Sequence, residues 1–276
     1  MQERHATSPN EVKNMNTEQL RETFLLQQLF TNDTINLVYS HYDRMITGAA
    51  VPVAKELKLE TDVQLKSDFF LQRRELGIIN VGGDGVVKAD GQEYRLSKLD
   101  CVYVGRGTKD VLFSSADTQN PARYFLLSAP AHQTFPTTLM QSSKATPAAL
   151  GSMETANERT IYKYIHEDGI QSCQLVMGLT ILKPGSVWNT MPAHTHNRRM
   201  EVYLYFDVKE GQRVVHLMGE PQETRHLVIG NEEAVISAPW SIHSGCGTTN
   251  YSFIWGMAGE NKAFADMDAV AIADLK

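Results

Sequence analysis

The clearest chemistry in this chain lies in two histidines one residue apart, His194 and His196, followed five residues later by Glu201. On an extended strand, side chains two apart project to the same face, so both imidazoles can address one point. Glu201 has the wrong parity for an uninterrupted strand, and a turn or bulge between must bring its carboxylate back to that side. His243, on the segment after Pro239 and Trp240, can supply a fourth donor from a neighbouring strand. Three imidazoles and one carboxylate suit zinc, iron, manganese or nickel. A His-x-His pair alone also arises by chance. Glu201 and His243, completing a four-donor set, favour the metal reading.

These side chains need a rigid frame, and the pattern around them is one of strands. Ile35 to Tyr39, Leu76 to Val81, Cys101 to Val104 and Tyr124 to Leu127 carry β-branched and aromatic residues between turn clusters. The same texture returns at Ile161 to Ile165, Cys173 to Leu182, Glu201 to Phe206, Val214 to Met218, Glu233 to Ser237 and Tyr251 to Trp255. One short helix is expected after Asn16 or Thr17 as cap, with Leu20 and Phe24 at helical spacing. Gly82-Gly83-Asp84-Gly85 reads as a hairpin turn; no Lys-Ser/Thr follows it, which argues against a phosphate loop. Many short strands with few helices predict an all-β sandwich or barrel.

The segment from Pro136 to Ala156, rich in Ser, Thr, Ala and Gly, reads as the connection between two halves, 1–140 and 141–276. A faint repeat supports two halves. Arg73-Arg74-Glu75 and Arg198-Arg199-Met200-Glu201 each open a strand, Asp100 to Val104 parallels Ala234 to Ser237, and Tyr124 to Leu127 parallels Tyr251 to Ile254. Aligning Glu75 with Glu201 places Asp68 and Phe70 where the histidines stand, with Lys109 or Asp110 near the place of His243. That set cannot assemble the same site, so the N-terminal half is expected to be metal-free and structural.

Bulk properties narrow the partners. Over 276 residues the chain is 42% hydrophobic and 21% charged with a formal charge of -6, so no global basic field draws it to nucleic acid or anionic lipid. The best apolar run, Ile46 to Ala54, is short and carries Gly48 and Pro52, and Met1 to Asn16 has no apolar signal core. Cys101, Cys173 and Cys246 are odd in number and far apart, which argues for a reducing cytoplasm.

The arrangement of Gly185, His194, His196, Glu201, Pro239 and His243 is similar to the cupin signature, although the spacing from Pro239 to His243 is one residue tighter and the usual Asn is missing. More specifically, Gly185-Ser186-Val187-Trp188-Asn189-Thr190-Met191-Pro192, His-Thr-His and Arg198-Arg199-Met200-Glu201-Val202-Tyr203 resemble the 5-keto-4-deoxyuronate isomerase family. Tyr39 to Arg44 and Gly256 to Asn261 are similar to it as well. The resemblance spans essentially the whole chain. It implies two cupin-type (double-stranded β-helix or jelly-roll) sandwiches, and one zinc per chain on His194, His196, Glu201 and His243. It also implies a homohexamer, and conversion of 5-dehydro-4-deoxy-D-glucuronate to 3-deoxy-D-glycero-2,5-hexodiulosonate in pectin breakdown.

That chemistry needs a cation for the substrate carboxylate. If residues 199 to 205 form a strand, Arg199 shares a face with Glu201, Tyr203 and Tyr205 and can hold it; a structural ion pair is the competing reading. No residue is assigned as general acid or base, since Glu, His or Tyr can serve. His41, His166, His216 and His226 read as packed or solvated. Two other classes remain open on the residues alone: an iron(II) dioxygenase on the same ligands, separable by oxygen uptake, and a non-catalytic bicupin binding protein, against which the full ligand set in one half argues.

Overall fold

The computed structural model describes residues 1–263 and 265–276. They fold into two compact units. One comprises residues Met1–Glu3, Leu29–Ala145 and Tyr164–Met177; the other comprises Arg4–Gln28, Thr146–Lys163 and Gly178–Lys276. Helical turns are few and short among the described residues, in keeping with the all-β expectation.

The first unit is built on a seven-stranded sheet ordered Gln2–Arg4, Ile35–Ser40, Ile46–Ala50, Tyr124–Pro130, Arg74–Asn80, Cys101–Val104, Thr138–Met140. A four-stranded sheet of Leu57–Lys58, Val111–Ser115, Gly85–Ala89 and Gln92–Leu96 faces it across a shared apolar core that includes Leu76, Ile78, Val87, Phe113 and Tyr124. The second seven-stranded sheet has the order Ala148–Leu150, Arg159–Ile165, Val176–Leu182, Ser252–Gly259, Arg199–Phe206, Glu233–Ser237, Leu25–Leu26. Its four-stranded companion runs Trp188–Asn189, Ser244–Gly247, Val214–Glu220, Glu223–Ile229. Every residue of Arg199–Phe206 is buried, because both faces of this central strand are covered. That explains its unbroken run of large residues where a half-solvated strand would alternate.

The two units repeat one pairing pattern, and the register corrects the alignment expected from sequence. Glu201 lies opposite Met257 and Ser237 on its two neighbouring strands. The residue with the matching partners in the first unit is Leu76, opposite Ser128 and Val104. Glu75 is therefore one place out of step with Glu201, and Arg74, not Glu75, occupies a metal-facing parity, in the place of Arg199. Counting back from Leu76 puts Phe69 and Leu71 where His194 and His196 stand. The same logic pairs Tyr124, opposite Asn80, with Phe253, opposite Tyr205, two places from the expected match with Tyr251.

Glu75 itself points to the outer face. Its carboxylate accepts from the amides of Cys173, Gln174 and Leu175 at 2.7, 2.8 and 2.8 Å and from the Tyr103 hydroxyl at 2.9 Å. Those three amides are thereby withdrawn from any ladder, and the strand expected from Cys173 begins at Val176.

Three further local expectations are settled. Asn16 caps the Thr17–Phe24 helix, exchanging 2.9 Å hydrogen bonds with Gln19 in a reciprocal box. Gly82 to Gly85 is not a hairpin, because Arg74–Asn80 and Gly85–Ala89 lie in different sheets. It is a corner between them, where a Cβ on Gly83 would sit 2.0 Å from the Asn120 carbonyl oxygen. The hairpin is one strand later, at Asp90-Gly91, whose φ values of 44° and 85° join Gly85–Ala89 to Gln92–Leu96. Finally, the stretch from Pro136 to Ala156 is not all connection. Thr138–Met140 pairs with Cys101–Val104 and Ala148–Leu150 with Arg159–Ile165, as short edge strands.

Candidate metal centre

The second sandwich brings three donors that are near in sequence, and a fourth from further along the chain, to one point. His194 is on the two-residue strand His194–Thr195, Glu201 is the third residue of Arg199–Phe206, and His243 sits just before Ser244–Gly247. The parity mismatch between His196 and Glu201 is absorbed in the turn at Asn197-Arg198, where the Arg199 amide donates to the His196 carbonyl at 3.1 Å. One ligand atom from each of His194, His196, Glu201 and His243 then lies within 4.8 Å of the others.

The close contacts show what this cluster is built to hold. His196 Nδ1 is 2.9 Å from the Arg199 carbonyl oxygen, which only accepts, so the ring proton sits on Nδ1 and the Nε2 lone pair faces inward. That Nε2 is 3.0 Å from Glu201 Oε2. His243 Nε2 is 3.0 Å from the same oxygen and 2.9 Å from His194 Nε2. Electron pairs from three imidazoles and a carboxylate thus converge with too few protons to separate them. A cation at the centre would relieve the crowding: donors about 2.1 Å from one ion stand about 3.0 Å apart at a right angle and about 3.4 Å apart at a tetrahedral angle. The four residues can hold a metal.

Electrostatics favour the ligand form at His194 and Glu201 and oppose it at His196. Burial, then the neighbouring His243, hold His194 down to about 3, so its imidazole is neutral. At Glu201 burial pushes upward, but His243 and His196 outweigh it and keep the carboxyl well below the usual carboxylate range. Burial opposes protonation of His196 too, yet the hydrogen bond and charge of Glu201 raise it overall. His196, Glu201 and His243 are all buried, and only His194 is partly open.

Above the cluster is a hollow of about 60 Å³ lined by His194, His196, Arg199, Glu201, Tyr203, Trp255, Met257 and Met267. Arg199 and Tyr203 therefore share the face of Glu201. The Arg199 guanidinium is fully buried, and Nη2 donates to the Asp266 carbonyl at 3.0 Å. The Tyr203 hydroxyl and Thr190 Oγ1 are 2.9 Å apart, and burial, then the Glu201 charge, push the phenol well above its ordinary range. It stays protonated and able to donate. Trp255 and Met257 come from Ser252–Gly259, opposite Tyr203 and Glu201. Nothing in their local sequence marks them, because only the strand register turns them inward.

The outer wall is the segment that carries Met267, which is 40% exposed. Asp268–Ala269 pairs with His194–Thr195, and Arg198 clamps the segment through Asp266 at 2.8 and 2.9 Å and Asp268 at 2.9 Å. Behind the site, His216 is buried with Nδ1 2.7 Å from the Tyr205 hydroxyl, so it is a core residue that touches no open space. His41 and His226 are exposed, and His166 is half-buried.

Comparison with known proteins places this geometry. The pattern of the KduI/IolB family matches residues 24–274. A protein of Shouchella clausii, 57% identical over 99% of this chain and 99% of its own length, is named 4-deoxy-L-threo-5-hexosulose-uronate ketol-isomerase. One of Halalkalibacterium halodurans, 55% identical over the full length of both, bears the same name. Among solved structures, an IolB-like protein from Salmonella typhimurium aligns with a TM-score of 0.73 at 16% identity, over 90% of this chain and 96% of that one. The formate complex of Lactobacillus farciminis oxalate decarboxylase aligns at 0.56 and 9% identity, over 83% and 79%. At such identities the likeness is one of fold, two cupin-type sandwiches.

Proposed function

This chain belongs to the KduI/IolB family, and on that footing we propose that it is a zinc-dependent ketol-isomerase. The reaction is conversion of 5-dehydro-4-deoxy-D-glucuronate to 3-deoxy-D-glycero-2,5-hexodiulosonate in the breakdown of pectin. The reading is carried by one observation: ligand atoms of His194, His196, Glu201 and His243 lie within 4.8 Å of one another in a chain whose full-length relatives bear the ketol-isomerase name.

The chemistry asks for few parts. An aldose-to-ketose shift moves a proton between adjacent carbons by way of an enediol-like species with negative charge on oxygen. A divalent ion on the four donors would supply the charge that stabilises it, and zinc does so without redox side reactions. Arg199 lies two residues before Glu201 on the same face, about 6 to 7 Å along the strand. That distance is comparable with the length of a six-carbon acid, so its guanidinium is placed to take the carboxylate while the carbonyl end sits over the four donors. The protonated Tyr203 hydroxyl is placed to donate to a substrate oxygen. Trp255 and Met257 give the same hollow an apolar wall. Met267 forms the outer wall of that hollow, so the segment carrying it would border the bound substrate.

We further propose a cytoplasmic location, consistent with three unpaired thiols at Cys101, Cys173 and Cys246, and a homohexameric assembly. No helix among the described residues is long and apolar enough to cross a membrane. The test is a coupled assay on the product of oligogalacturonide lyase digestion, run with and without oxygen. Anaerobic turnover at the full rate supports the isomerase. Oxygen uptake with bound iron would replace it with a dioxygenase.

A further inference from the structure

The duplicated architecture leaves a second arginine-lined hollow, in the first unit. Arg74 opens its strand where Arg199 opens the equivalent one, and it is likewise buried, 6% exposed. Nε donates to Ser128 Oγ at 3.1 Å, and Nη2 donates to the carbonyls of Arg44 and Ser128 at 2.6 Å each. Nη1 donates to none of the described residues. The guanidinium lies 6.0 Å from the centroid of the Tyr39 ring. Around it is a cavity of about 300 Å³, far larger than the hollow in the second unit, whose polar lining is Tyr39, Arg44, Gln64, Ser67, Arg73 and Arg74.

That lining contains three guanidiniums and no carboxylate. The nearest acid in sequence, Glu75, faces the other side of the sheet and is taken up by backbone amides and Tyr103. Arg73 Nη2 is pinned to the carbonyls of Leu65 and Lys66, which fixes a second cation at the rim. Burial lowers Arg74 to about 10, which still leaves it charged at neutral pH. No carboxylate contacts the Arg74 guanidinium, although the charge of Glu75 helps to keep it protonated, and a free N–H at the base of an open cavity is a ready donor to an incoming anion.

We propose that this cavity binds a small, hydroxylated carboxylate, a sugar acid. Arg74 Nη1 takes the carboxylate, Arg44 and Arg73 supply the positive rim, and Tyr39, Ser67 and Gln64 supply neutral polar groups for the hydroxyls. The site binds without turnover, since Leu76 stands in the place of Glu201. Its residues are all outside the metal centre, so the proposal holds or fails apart from the isomerase reading.

The experiment is calorimetric titration of D-galacturonate into the full-length His194→Ala/His196→Ala variant, in which the metal centre is disabled. One equivalent per chain is expected to bind. Arg44→Ala/Arg73→Ala, which alters two exposed side chains, is expected to weaken it about tenfold or more, and Arg74→Gln to abolish it. The uncharged methyl ester is expected not to bind, and inorganic phosphate to bind more weakly than the acid. Absence of saturable heat up to about 10 mM, binding indifferent to the Arg44→Ala/Arg73→Ala change, or phosphate binding as tightly as the acid would each overturn the proposal.

Discussion

Replacing Arg199 by Lys separates a substrate-binding guanidinium from a structural one. The residue is fully buried, shares the hollow with three of the four candidate ligands, His194, His196 and Glu201, and holds the Asp266 carbonyl through Nη2. A charge-assisted hydrogen bond to a carboxylate contributes about 1.5–3 kcal/mol, or roughly 10- to 150-fold in binding. Lysine keeps the charge and loses the planar fork, so the lower end of that range applies. KM for the uronate is expected to rise about tenfold or more, with kcat changed much less and metal content unchanged. Substrate esterification supplies the control. The wild-type enzyme should prefer the free acid to its methyl ester by a similar factor, and Arg199→Lys should flatten that preference. If the variant affects acid and ester equally, or leaves KM unchanged while the melting temperature falls, the guanidinium serves the fold and the carboxylate is held elsewhere.

Other perturbations give distinct outcomes. Glu201→Gln removes the one anionic donor while keeping its shape, and metal affinity should fall tenfold or more by dialysis against a chelator. Retention of a full metal equivalent would show that the carboxylate is not a ligand. Tyr203→Phe should lower kcat by about 10²-fold with metal content and KM unchanged; an unaltered kcat removes the phenol from the proton path. Arg198→Ala frees the segment carrying Met267, and hydrogen exchange of residues 265 to 269 should accelerate together with a rise in KM. Unchanged exchange would mean that Asp268–Ala269 pairing alone holds that wall. His216 is held from 6.5 down to about 3 by burial, then by His243, so the folded state binds fewer protons than the unfolded one. Its contribution is full above pH 6.5 and is lost as pH falls towards 3, at up to roughly 1.4 kcal/mol per pH unit. Denaturant titrations of His216→Leu should show a shallower acid decline than the wild type; identical slopes would assign that decline to other groups.

Much of the candidate site was legible in the sequence because three of its four possible donors are close together there. His194, His196 and Glu201 fall within one strand and the turn before it, and period-two reasoning needs only a bulge to reunite them. The Asn16 cap and the edges of Cys101–Val104 and Glu233–Ser237 were legible for the same local reason. What the sequence hid depends on register across strands. Trp255 and Met257 enter the hollow only because of how Ser252–Gly259 pairs with Arg199–Phe206. Glu75 looked like the counterpart of Glu201 because both follow an Arg-Arg pair, yet a one-residue slip turns it to the opposite face and makes it an acceptor for backbone amides. The same slip concealed Arg74. The glycine run at Gly82 gave a correct turn and a wrong partner, since a corner between sheets and a hairpin draw on the same residues.

The central claim is that four side chains hold one divalent ion on which isomerisation depends. Elemental analysis of purified wild-type and His194→Ala/His196→Ala protein, paired with uronate turnover on the same samples, addresses it most directly. The expected result is one zinc per chain in the wild type, with metal and turnover lost together in the variant. Wild-type turnover by a metal-free variant would contradict it.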